Sequence, residues 1–113
     1  MGFFDPIHKK IVAKAPAYFA VHAILAEKAI QAAIEKLKPE REDSFRTAVV
    51  GMVALWSAER QPTVWSREAV DFATTSANNA LRQLSPRSAL IAEQAYEMVV
   101  ETLAGPMPGP VSN

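Results

Sequence analysis

Residues 48–56, AVVGMVALW, are nine consecutive apolar positions, and no charged residue lies between Arg46 and Glu59. At about 100° per residue such a run leaves no polar side on a helix, so a helix built from it needs protein on every flank. The run therefore predicts a central helix, surrounded by the other elements or by a partner. Its circumference is uneven. Thr47, Gly51, Ala54 and Ala58 form a stripe of small residues, whereas Phe45, Val49, Met52, Leu55 and Trp56 carry the bulk. Glycine in a helix interior costs about 1 kcal/mol relative to alanine, so Gly51 is expected where a neighbouring backbone comes close. The bulky face is expected to fill a conventional core.

The breakers on either side of this run set the architecture. Pro39 with the charged residues behind it, Pro62 and Pro86 divide the chain into long segments with helical periodicity, and no period-2 run with turn chemistry points to a strand. The reading is all-α: a four-helix bundle-like domain over residues 1–104 with a short N-terminal helix and an irregular Pro-rich C-terminal tail. The short helix is expected at 6–15, opened by Asp5 and Pro6. Long helices are expected at about 16–38, 45–60, 64–84 and 86–104. Asp43 or Ser44 is expected to cap the second long helix, Thr63 or Ser66 the third, and Ser85 followed by Pro86 the fourth, with Gly105 as its stop. The tail, 105–113, carries prolines at 106, 108 and 110 without a P-x-x-P spacing and reads as a passive, flexible terminus.

The third long helix supplies the natural neighbour for Gly51. Trp65, Ala69, Phe72, Ala73, Ser76, Ala77, Ala80 and Leu84 lie along one stripe that is again rich in small residues. Its TTSANN segment, 74–79, is poor helix material because these side chains compete for backbone hydrogen bonds, so a bend or loosened turn is expected there. Asn78 and Asn79 read as part of a solvated face, with a polar contact as the functional alternative.

The last helix has more apolar circumference than one bundle can use. Ala92, Ala95, Tyr96, Met98, Val99, Val100 and Leu103 span more than half of it, where an arc of about 100° suffices. Together with an all-apolar second long helix, this surplus points to self-association, with a homodimer as the expected assembly. Glu93, Glu97 and Glu101 mark the wet side, either as a solvated face or as an acceptor surface for a basic partner. The leading segment, with Phe3, Phe4, Ile7 and Ile11 alternating with His8, Lys9, Lys10 and Lys14, is a short basic amphipathic helix. It is expected to dock on that acidic helix; weak contact with an anionic membrane surface is its other option.

Trp56 and Trp65 bracket a turn that also carries Arg60 and Arg67. Tryptophan and arginine dominate interface hot spots, and a guanidinium stacks well on an indole. This corner is the best candidate for a partner surface, against the simpler alternative that both tryptophans anchor the core.

Charge and composition narrow the function classes. Twelve basic and twelve acidic residues, with a sequence pI near 6.7, leave no general field to hold nucleic acid. The absence of cysteine excludes disulfides, thiolate catalysis and cysteine-held metals. No apolar segment reaches the ~20 residues of a membrane span. AYFAVHAILA, 17–26, is broken by His22 and reads as folded helix rather than a secretion signal, and Pro6 spoils a myristoylation pattern, so a cytoplasmic setting is expected. The Glu-x-x-His pairs of di-iron bundles are missing, no G-x-S-x-G occurs, and His22 sits among apolar residues as a structural histidine would. No catalytic residue, metal or cofactor is expected. The sequence reads best as a small non-enzymatic protein working through protein–protein contacts as a homodimer. The alternative is a module that binds an apolar small molecule or lipid chain between its helices; an enzyme using His22 and a carboxylate ranks below both.

Overall fold

A computed structural model describes residues 6–105 of the chain. Within them the backbone forms five helices and no strand: α1 (Ile7–Lys14), α2 (Phe19–Leu37), α3 (Glu42–Arg60), α4 (Arg67–Arg82) and α5 (Pro86–Ala104). The expected tail beyond Gly105, and Asp5 as the first cap, lie outside the described residues.

Two of the expected starts hold because they depend only on local chemistry. Ser66 accepts a hydrogen bond from the Ala69 amide, and Ser85 accepts one from the Ser88 amide with Pro86 at the first helical position. Gly105 closes α5 at φ 76°. The start of α3 is a correction. Neither Asp43 nor Ser44 caps it: the helix begins at Glu42 behind Arg41, which is left-handed at φ 54°. Glu42 and Asp43 instead occupy the first turn, where negative charge complements the unpaired amides. Ser44 donates to Gln83 Oε1 on α4 at 2.9 Å. The expected bend over 74–79 is also absent. α4 is continuous there, and Thr74 Oγ1 donates to the Val70 carbonyl one turn back without breaking the helix.

α3 is the hub, packing against each of the other four helices. Phe45, Ala48, Val49, Val53 and Ala54 are fully buried, as the apolar run requires. The small stripe does what its composition predicts. A Cβ placed on Gly51 would lie 2.8 Å from the Ala77 Cβ and 3.3 Å from the Ala73 carbonyl oxygen, so α3 and α4 touch nearly backbone to backbone. Ala69, Ala73 and Ala80 continue this seam on α4.

The bulky side of α3 is not wholly enclosed. Phe45 and Val49 are core, but Met52, Leu55 and Trp56 are only half-buried. One strip of the central helix thus reaches the surface beside α5, because α5 packs on α2 as well as α3 and leaves a shallow furrow along its other flank. The position of α1 is a further correction. It packs on α3, α4 and α2 rather than on the acidic α5. Ile11 drives this, being 1% exposed, while Lys14 pairs with Glu68 of α4 at 2.9 Å and lies 5.4 Å from the Phe72 ring centre.

Candidate functional site

The corner between α3 and α4 separates the two tryptophans. Trp65 is 6% exposed; its ring meets Phe19 edge-on at 5.4 Å and its Nε1–H donates to the Tyr18 hydroxyl at 2.7 Å. The Tyr18 and Ser57 hydroxyls are in turn 2.6 Å apart. Burying an indole is favourable only when its N–H finds an acceptor, and Tyr18 supplies one. Trp65 is therefore a core anchor. Trp56 stays half-exposed, with the Arg60 guanidinium 4.5 Å above its ring centre. Arg67 stands exposed at the first position of α4; among the described residues, the guanidinium over an indole is that of Arg60.

Trp56 opens onto a furrow of about 230 Å³ shared with Met52, Leu55, Glu59 and Tyr96. Burial pushes the Tyr96 phenol above its ordinary range, Glu59 adds to the shift, and Arg60 opposes it. Met52 also borders a second depression of about 440 Å³ with Leu81, Leu90 and Glu93, so the open strip of α3 continues along α5. The structure thus keeps Trp56, Arg60 and Glu93 on one surface and removes Trp65 and Gly51 to the interior. Glu97 and Glu101 are exposed on the back of α5.

His22 is half-buried, with Tyr18 and Phe19 edges at 5.2 and 5.7 Å and the Trp56 ring at 6.4 Å. Burial lowers its pKa, and Nδ1 has no hydrogen-bond partner among the described residues. Among the described residues no carboxylate contributes to its shift as an orienting partner would, and Ser57 is 1% exposed. His8 is likewise held below its ordinary pKa, by burial first and then by Arg46. Arg46 forms an ion pair with Glu27; there the cost of burying the carboxylate is outweighed by hydrogen bonds from Gln31 and Arg46, and the Glu27 pKa falls. Among the described residues no three His, Asp or Glu side chains gather as a metal site would need.

Large apolar side chains are also exposed on α2 and α5. Val21, Ile24 and Leu37 on α2, and Leu90 and Met98 on α5, are 43–62% exposed. The α2 members were not singled out from the sequence. The same test applied to α5 finds them, because Val21 and Ile24 sit opposite the buried Ala26 and Ile30 on a helix whose apolar residues also run too far round. α2 and α5 lie antiparallel, with Leu25 facing Val99 and Thr102, and Leu37 facing Ile91. Between them runs a groove floored by Ala29, Ala32, Ala33 and Ala95 and bordered by Lys28 and Lys36. No helix of the described residues is long and apolar enough to cross a membrane. No protein-family model, curated protein or solved structure matches the chain.

Proposed function

We propose that this chain is a small helical protein that acts through protein–protein contacts, as a homodimer, and that it is not an enzyme. The observation supporting this reading is the cluster Val21, Ile24, Leu37, Leu90 and Met98, exposed on the two adjacent helices α2 and α5. Covering a large aliphatic side chain gains roughly 1.5–3 kcal/mol when complete, and a soluble chain that leaves several such residues on one layer marks a contact surface. Of the wide apolar arc of α5, Met98 is exposed, and it supports this reading. A cytoplasmic setting belongs to the same reading.

A groove for an apolar small molecule or lipid chain is the second reading, favoured by the alanine floor between α2 and α5. The groove is divided into two depressions of about 230 and 240 Å³, each below the ~300–1,000 Å³ usual for ligand pockets, so a flat contact is the better fit.

Sedimentation velocity across a wide concentration range tests the proposal. A dimer is expected in the native chain, and Ile24→Glu with Met98→Glu is expected to give a folded monomer. A native chain that sediments as a monomer up to its solubility limit overturns the homodimer. Native mass spectrometry decides the second reading: a bound apolar adduct on a monomer would establish it in place of the first.

A further inference from the structure

The charges around the exposed apolar layer specify how two copies would meet. The back of α5 carries Glu97 and Glu101, with Glu93 on the flank toward Met52, and the one base of the helix, Arg87, is engaged at the far end with the Leu37 carbonyl. Packing α5 against its own copy would bring four carboxylates together at a desolvated contact, which is disfavoured. The outer face of α2 carries Lys28 and Lys36, both exposed, with a single exposed acid, Glu35, between them. The acidic Glu27 of the same helix is already paired with Arg46. The two halves of the layer are thus opposite in sign.

The heights match as well. Lys28 and Thr102, next to Glu101, border the same depression at one end of the groove, and Lys36 and Gln94, three residues before Glu97, border the one at the other end. A two-fold axis running along the groove, parallel to both helices, keeps each residue at its own height while exchanging α2 for α5.

We propose that a second copy of this chain lays its α2 on α5, and receives α5 on its own α2, in an isologous four-helix layer. Ile24 and Met98 lie within it, and Leu90 stands at its edge. Lys28 of each copy meets Glu101 of the other, and Lys36 meets Glu97. Glu35 falls opposite the neutral Gln94, where its sign costs little. The arrangement rests on the homodimer reading and adds its register. It leaves the Trp56 furrow on the other flank of α5 outside the contact.

Charge exchange tests it, because all the altered side chains are exposed and the fold does not depend on them. Lys28→Glu with Lys36→Glu is expected to weaken dimerisation at least about tenfold by placing acid against acid. Adding Glu97→Lys and Glu101→Lys to the same chain is expected to restore it to near the native value. Circular dichroism checks that each variant remains helical. Rescue by Glu35→Lys instead would mean that α2 meets α2 and would overturn the register. So would a dimer indifferent to Lys28 and Lys36. A native chain that is monomeric throughout would remove the homodimer reading itself, a result distinct from either of these.

Discussion

Gly51 of α3 and Ala77 of α4 stand in direct contact across the seam between the two helices: a methyl group on Gly51 would lie 2.8 Å from the Ala77 Cβ. Substituting alanine at position 51 gains about 1 kcal/mol of helix propensity, yet forces two helices apart, at about 1–3 kcal/mol for overpacking. Gly51→Ala is therefore expected to lose up to about 2 kcal/mol, and Gly51→Leu to unfold the chain or loosen it severely. Urea denaturation measures both. Ala77→Gly in the Gly51→Ala background removes the clashing methyl and should recover part of the loss. A Gly51→Ala chain clearly more stable than the native one would show that the seam has slack.

The Tyr18 hydroxyl joins Trp65 and Ser57, the latter on α3, and so ties three segments together at one oxygen. Tyr18→Phe leaves the buried Trp65 N–H without its acceptor and Ser57 without its neighbour, which is expected to cost about 1–3 kcal/mol. Trp65→Phe should cost a comparable amount through lost packing and lost bonding. A double-mutant cycle between the two substitutions measures their coupling. Additive losses would mean that the 2.7 Å contact contributes nothing of its own.

How much of this was legible follows the range of the interaction. Ser66 and Ser85 cap their helices through bonds three residues away, and both can be read from the sequence. Arg41 starts α3 in a left-handed conformation that follows from the chain reversal around Pro39, which no short-range pattern specifies. Gly51 was readable because glycine in a helix interior needs a reason, and Ala73 and Ala77 on the next helix supplied it. Trp56 and Trp65 were not separable: both sit in apolar surroundings, and only the approach of Tyr18 and Phe19 from α2 buries one and leaves the other under Arg60. The docking of α1 failed for the same reason. Its lysines suggested an acidic partner, but Ile11 decides the position, and an exposed ion pair such as Lys14–Glu68 contributes little beside a buried side chain.

Two histidines make the fold sensitive to mild acid. Burial lowers both His8 and His22 from 6.5, so the native state favours their neutral forms while the unfolded chain takes up protons at the ordinary value. Their contribution is fully present above pH 6.5 and declines as the pH falls through the lowered values. Urea midpoints measured from pH 8 to pH 5, the range about the ordinary histidine value, should therefore fall toward acid. His22→Gln with His8→Gln should flatten that slope. A native slope unchanged by the double substitution would mean that neither imidazole is held neutral.

Glu40 acts at lower pH and can be separated from the histidines. Its carboxylate accepts hydrogen bonds from Ser88 and, at 3.0 Å, from Ser85, while its own amide donates to Ser88 Oγ at 3.2 Å. These bonds, Ser88 first and then Ser85, hold its pKa below 4.5 and pin the α2–α3 connection to the start of α5. Because the folded pKa is lowered, the carboxylate stabilises the fold above pH 4.5 and loses that contribution as the pH falls through the lowered value. Glu40→Gln keeps an acceptor in place but cannot titrate. It should lower stability at neutral pH and reduce the further loss below pH 4.5, while the slope near pH 6 set by His8 and His22 stays as it is. Amide exchange at Ser88, whose N–H is held by Ser85, should quicken in the same variant as the α5 cap loosens. Unchanged exchange together with an unchanged acid limb would place the Glu40 carboxylate in solvent, outside the α5 cap.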